Sequence, residues 1–267
     1  MSDPSSVRRI ARGCRRAMST GRLWVLPVAP LGSVTRAIAA YPRYIHDYAR
    51  YRWLVGRREA SFLNSYPCLT DRSPRTPFDP HYLYQAIWAS ERIDANVEKH
   101  VDVGSDVLFV GMLATRIPVT FVDIRPLDVS VAGLTSVAGS ITELPLTDRS
   151  VPSLSCLHVV EHVGLGRYGE SLDPLGTQKA CAELARVLAP GGTLLVSTPI
   201  GRPRTVFNAH RIHAPARIRD FFRELDLVEF SYVDDGGSLR LDAPLDVAAR
   251  LQYGCGLFRF TRTGAGL

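Results

Sequence analysis

Lys99 to Asp123 reads KHVDVGSDVLFVGMLATRIPVTFVD. The apolar run Val101–Val103 closes on Gly104-Ser105, a short helical stretch Val107–Leu113 follows, and a second apolar run Val119–Val122 closes on Asp123. A strand, a glycine turn, a helix and a second strand in so short a span predict a βαβ unit with parallel strands. Gly104 lets the backbone pass close to a ligand, and the amides after it can cradle a polar group. Asp123 stands 21 residues after Asp102, about the spacing at which a carboxylate binds ribose hydroxyls in nucleoside-binding units. The second and third glycines of a GxGxxG fingerprint are absent, and a surface aspartate ending a strand is the plainer reading of Asp123.

Working outward, Ser136–Ile141 and Leu154–Val160 are further strand candidates. Gln178–Leu188 is an amphipathic helix with Cys181, Leu184, Val187 and Leu188 on one side, stopping at Pro190-Gly191-Gly192. Thr193–Ser197 resumes as a buried strand, Ala214–Leu225 is a second amphipathic helix, and Val228–Val233 and Leu257–Thr261 are strands. This alternation predicts an α/β fold over residues 99–267, a doubly wound, mostly parallel, Rossmann-like sheet. Ligands of such sheets bind beyond the carboxyl ends of the strands. Upstream, residues 41–98 read as a helical extension packing on the domain, with Tyr44, Ile45, Tyr48, Tyr51 and Leu54 at helical spacing. Within it, Tyr66–Pro80 is a turn-rich connector, and His81–Arg92 is a helix carrying Tyr82, Tyr84, Ile87 and Trp88. Residues 1–40 form a basic, partly disordered arm.

The net charge of +6 is unevenly placed. Twelve arginines against Asp3, Asp47 and Glu59 put +9 on the first sixty residues, which leaves −3 on the rest. A slightly acidic domain lacks the positive face that phosphate contacts need, so no nucleic-acid partner is expected. The arm has two readings: peripheral contact with an anionic membrane, or a leader with no specific partner. Five widely spaced cysteines without a CxxC pair suggest reduced thiols in the cytoplasm. Leu23–Ala40 is too interrupted by Pro27, Pro30, Gly32 and Arg36 for a membrane span.

The segments HVVEHV (158–163) and ELARVLAPGGTLLVSTP (183–199) resemble the fourth strand, following helix and fifth strand of class I S-adenosylmethionine (SAM) methyltransferases. More narrowly, VDVGSDVLFVG, VTFVDIRPL, SCLHVVEHVGLGRYGE, FNAHRIH and YGCGLFRF together resemble a domain-of-unknown-function family first described from nematode proteins. That resemblance runs from about Tyr66 to Phe260, and bacterial members of the family look like methyltransferases that accompany surface-polysaccharide genes. It implies SAM as cofactor, with Asp102, Gly104 and Ser105 near its methionine part, Asp123 on the ribose and Ile124 beside the adenine. Ser140 stands where the family carries an acid for the adenine amine, and Ile141 follows it.

Placed to face a methyl acceptor are His158, Glu161 and His162, with His162 as general base. Tyr168, Asn208, His210 and His213 are candidate substrate contacts; a hydrogen-bonding role in the fold is the competing reading for each histidine. HVVEH also matches the inverted zinc-peptidase motif HxxEH, which needs a helix; here it follows a strand, and no metal is expected. The implied function is methylation of a saccharide or other hydroxylated small molecule in the cytoplasm, in the setting of surface-polysaccharide synthesis. An inactive methyltransferase-like binding or assembly module is the alternative. The oligomeric state is not legible.

Overall fold

The computed structural model describes residues 31–56 and 60–264, so most of the predicted arm lies outside the described residues. The chain divides into two compact units, at Pro77/Phe78. In the first, helix α1 (Leu31–Val55) starts inside the predicted arm and carries Pro42. Tyr44 and Tyr48, one turn apart, stack at 6.4 Å. The Tyr48 hydroxyl donates to the Ala60 carbonyl at 2.9 Å. Among the described residues no helix is long and apolar enough to cross a membrane.

The second unit opens with helix α2 (Pro80–Arg92), so this helix of the predicted extension groups with the domain. Pro80 needs no amide partner at the first turn, and Asp79 caps that turn by accepting from the amides of His81 (2.8 Å) and Tyr82. The sheet strands that follow are β1 (His100–Val103), β2 (Val119–Asp123), β3 (Leu134–Ala138), β4 (Val151–Leu157) and β5 (Leu188–Ile200). Helix α3 (Val107–Ala114) links β1 to β2, and α4 (Gly176–Val187) precedes β5. Beyond β5 come the hairpin β6 (Arg204–Val206) and β7 (His210–Ile212), helix α5 (Pro215–Phe221), and strands β8 (Asp226–Val233) and β9 (Leu239–Arg240). A short helix α6 (Leu245–Ala248) and strand β10 (Gly254–Thr261) complete the fold.

The main sheet has the order β3-β2-β1-β4-β5-β10-β8-β9. Strands β3 to β5 run parallel, while β10 is antiparallel to both β5 and β8. Apolar side chains alternate between two cores, one per face: Leu154, Leu194 and Phe258 join the first, Leu157, Leu195 and Leu257 the second. Ala180, Cys181 and Leu184 of α4 close the first core; Trp88 of α2 and Phe109 and Leu113 of α3 close the second. Strand order reverses at β1, whose neighbours are β2 and β4, and this switch point opens a crevice at the strand ends.

Among the boundaries that differ from the sequence reading, three shape the strand ends and the entry to β5. Strand β4 ends at Leu157, because His158 turns into the left-handed region (φ 58°). Strand β3 ends at Ala138, short of the expected Ile141. The Pro-Gly-Gly segment is no helix-to-strand turn: β5 starts directly after α4, and Gly191 (φ 74°) deforms its first residues. The hairpin, β9 and α6 are too short to leave a periodic signal.

Helix α2 is fastened to the sheet through Glu229 of β8. Its carboxylate accepts from Trp88 Nε1 (2.9 Å) and from Arg92 Nε, and pairs with Arg92 Nη2 at 2.7 Å. Burial opposes ionisation of Glu229, yet these donors hold its carboxyl below the usual range. Glu229→Ala strands a buried indole N–H and a half-buried guanidinium. It should lower the unfolding free energy by about 2–3 kcal/mol, measured by denaturant titration.

Candidate functional site

The end of β1 is organised by Asp102, whose side chain is wholly buried. One oxygen accepts from the Ser105 amide (3.0 Å); the other accepts from the hydroxyls of Ser105 (2.7 Å) and Ser155. Ser155 donates its only hydrogen to Asp102, so it accepts from His100 Nε2 (2.8 Å), and His100 Nδ1 accepts from Ser153 (2.8 Å). Ser105 Oγ in turn accepts from the Leu157 amide at 2.9 Å. This directional chain ties β1 to β4 and fixes the turn at Gly104. Burial holds His100 neutral, its pKa lowered to about 3, and lifts Asp102 to about 6 against the pull of Ser155 and Ser105.

Gly104 adopts φ 70°, and a Cβ there would stand 3.1 Å from Val159 and 3.5 Å from Asp123 Oδ2. Asp123 Oδ1 is fixed by the Arg125 amide at 2.7 Å. Gly104, Asp123, Ile124, Ser140 and Ile141 line one cleft of about 650 Å³, counting its mouth, together with His158, His162 and Tyr168. A second cleft that shares His158 and His162 is lined by His81, Tyr82, His210 and Tyr253.

Between the clefts, Glu161 is fully buried beneath both histidines, 2.7 Å from His158 Nδ1 and 3.7 Å from His162 Nε2. Burial works against ionisation of Glu161, but His158 and then His162 keep its carboxyl below the usual range. Burial also opposes a charged His158; the nearby Cys255 sulfur and Glu161 outweigh it and hold the imidazole well above its ordinary value. His162 is lowered, chiefly by burial, against the pull of Glu161. Its Nδ1 lies 2.6 Å from the Ala209 carbonyl, which can only accept, so Nδ1 carries the hydrogen and Nε2 keeps the lone pair.

Residues 101–196 match a methyltransferase domain family, and residues 149–248 match the family described as Caenorhabditis protein of unknown function, DUF268. The domain has the class I methyltransferase fold. Among solved structures, the N-methyltransferase NodS from Bradyrhizobium japonicum WM9, determined with S-adenosyl-L-homocysteine, superposes with a TM-score of 0.50. It is 18% identical, covering 76% of this chain and 95% of NodS. The cyclase SpnF superposes with a TM-score of 0.51 at 14% identity, covering 68% of this chain and 82% of SpnF. At these identities the likeness is one of fold. A comparison with curated proteins returns no match. The two resemblances read from the sequence are therefore both found, the methyltransferase one over 101–196 and the narrower one over 149–248 rather than from Tyr66 to Phe260.

In this methyltransferase-like domain, the structure brings Gly104, Asp123, Ile124, Ser140 and Ile141 to one cleft, and His158, Glu161 and His162 to the partition. Tyr168 joins the first cleft, beneath the Arg125 guanidinium at 4.3 Å, and His210 joins the second, 5.1 Å from the Tyr253 ring. Other expected roles are corrected. Asp102 faces inward, and Ser105 borders a groove with Gly104 and Asp123 while its hydroxyl is engaged in the chain described above. Ser140 Oγ is paired with Thr142 Oγ1 at 2.8 Å. Asn208 is exposed and lines neither cleft. His213 packs edge-on to Phe221 at 5.5 Å outside both clefts, its pKa lowered to about 4 by burial and by Arg211 and Arg217.

Sequence reasoning missed His81, Tyr82, Arg125, Tyr253 and Cys255. The rings of His81 and Tyr82 lie 5.6 and 5.3 Å from that of His158. Only the aromatic pair at the start of α2 hinted at them.

The buried chain titrates in a testable way. His100, depressed in the fold, contributes stability above pH 6.5 that is lost as pH falls through about 3. Asp102, raised in the fold, contributes stability below pH 3.8 that is lost as pH rises through about 6. Between those limits the two oppose each other. Asp102→Asn removes one of them, so wild type should gain stability relative to the variant as pH drops from 6 to 4. A pH-independent difference in denaturant midpoints would contradict this.

Proposed function

We propose that the domain transfers a methyl group from SAM, held in the first cleft, to a hydroxyl of a small polar acceptor seated in the second, with a saccharide as the acceptor class. The observation that carries this reading is the shared partition: His158 and His162 wall both clefts, and the neutral His162 turns its Nε2 lone pair there, with Arg167 Nη1 3.4 Å away.

The first cleft fits the cofactor in kind. Gly104 leaves a hollow that a Cβ would crowd, and Asp123 Oδ2 borders that hollow, as a carboxylate accepting from a ribose diol requires. SAM supplies an electrophilic methyl on sulfur, which leaves as a thioether when an oxygen displaces it in line. For the chain's own part, His162 Nε2 takes the acceptor's proton, and Glu161 below it stabilises the resulting imidazolium. His158 fixes Glu161 by its short contact, while Tyr168 and Arg125 cover the mouth. Flat rings of Tyr82, Tyr253 and His210 suit the C–H faces of a sugar ring. The carboxylates of Asp234 and Asp235 are engaged by backbone amides, so they shape that wall rather than bind through it.

A non-catalytic binding module is the second reading, favoured by a serine, paired with Thr142, at the position where the resemblance implies an acid for the adenine amine. The resemblance and the Arg-rich first sixty residues further support a cytoplasmic setting at an anionic membrane surface, near surface-polysaccharide synthesis.

Calorimetry with purified protein should detect SAM binding, and Asp123→Ala should weaken it by about 1–3 kcal/mol, roughly five- to 150-fold. No heat at millimolar SAM removes the enzyme reading. His162→Gln should leave SAM affinity unchanged while lowering methyl transfer to saccharide acceptors by about 10²–10⁴. Because His162 is depressed, the wild-type rate should rise with pH and pass half of its plateau below pH 6.5. A plateau reached only in the alkaline range would assign the base elsewhere.

A further inference from the structure

His81 at the start of α2, His158 past β4 and Cys255 in β10 come from three distant segments, yet one ligand-type atom of each lies within 4.8 Å of the others. The His158 side chain is only 5% exposed, and its Nε2 is buried without a hydrogen-bond partner among the described residues. Its Nδ1 faces Glu161 at 2.7 Å. A carboxylate only accepts, so Nδ1 carries a hydrogen and Nε2 is the atom turned to the cluster. That is the arrangement in which a carboxylate orients a metal-binding histidine. Cys255 is buried, and besides a weak 3.9 Å contact to the Gly256 carbonyl its sulfur faces the His158 imidazole.

We infer that His81, His158 and Cys255 form a binding site for one borderline divalent cation such as zinc, with an open fourth position toward the second cleft. Two imidazoles and a thiolate suit zinc or cobalt, with bonds of about 2.1 Å to nitrogen and about 2.3 Å to sulfur. Ligand atoms on a tetrahedral ion then stand roughly 3.3–3.8 Å apart, so the cluster needs to contract by about 1 Å. Three protein ligands with one open position is the pattern of reactive rather than purely structural zinc sites. An acceptor hydroxyl in the fourth position would be polarised, its proton passing to His162; this last step rests on the methyl-transfer reading, whereas the site itself does not. Glu161 is a positioning residue for the ion.

The test is cobalt titration of the full, metal-stripped, reduced protein. One equivalent should bind with a thiolate-to-cobalt absorption band in the near ultraviolet and tetrahedral visible bands, and one equivalent of zinc should abolish both. Cys255→Ser should remove the thiolate band with the far-ultraviolet circular dichroism retained, while Cys68→Ser, at an exposed thiol, should keep it. Should Cys255→Ser fail to fold, His81→Gln tests the same site through at least tenfold weaker cobalt binding. Glu161→Gln should loosen cobalt by about ten- to a hundredfold. Folded wild type without the band, or a band that survives Cys255→Ser, overturns the site. Cobalt binding without SAM binding upholds the site and removes methyl transfer; SAM binding without cobalt does the reverse.

Discussion

The carboxylate of Asp102 lies at the centre of the sheet with no access to solvent, and the ligand-facing half of the domain is arranged around the donors that make this tolerable. An isolated buried carboxylate is too costly to persist; one that accepts from an amide and two hydroxyls is sustained. Those donors sit on the turn after β1 and on β4, so satisfying one charge locks the two strands on either side of the switch point. The Leu157 amide, hydrogen-bonded to the same Ser105, is the last strand residue before His158. One polar chain therefore sets the glycine turn of the first cleft and the start of the histidine partition. A shift in either would break hydrogen bonds in both.

Beyond that anchor, the partition depends on a reversal of direction. The left-handed backbone at His158 ends β4 and lets Glu161 return beneath both imidazoles. The following loop is held by Arg211 of β7, whose guanidinium donates to the carbonyls of Val163 and Asp173 and to Thr177 Oγ1. Gly164 is required in that loop, since a Cβ would approach the Asp173 carbonyl to 2.2 Å. FNAHRIH is thus tied to the residues flanking GLGRYGE by the buried Arg211 and to GLGRYGE itself by Arg167, whose Nη1 donates to the Ala209 carbonyl at 3.2 Å.

Sheet strands such as β1, β2 and β5 were legible because burial on both faces demands apolar runs, and α4 because its buried stripe repeats at helical spacing. Residues just past those strands were legible for the same reason, which recovered Gly104, Asp123 and His162. Burial of a polar side chain leaves no such trace. Asp102 and Ser105 look like ligand contacts in sequence, and only the fold shows their atoms consumed by Ser155 and Leu157. His81 and Cys255 were invisible for the opposite reason. They lie 174 residues apart in the chain, and only the packing of α2 against the sheet brings them to His158.

The sparse glycine loop is the feature that most weakens a nucleoside-binding reading of the sequence, and the structure shows what stands in for the missing residues. A glycine-rich turn is tight because it lacks side chains; here side chains supply the tightness. Asp106, at the second glycine position, turns its carboxylate back to accept from the amides of Leu108 (2.9 Å) and Phe109 as the cap of α3. Phe109, at the third, is buried in the second core, outside the first cleft. Neither substitution fills the hollow at Gly104, the one position where a Cβ would. The loop has exchanged backbone freedom for a hydrogen-bonded cap and the buried Asp102 chain, and the space a nucleoside would need beside Asp123 stays open.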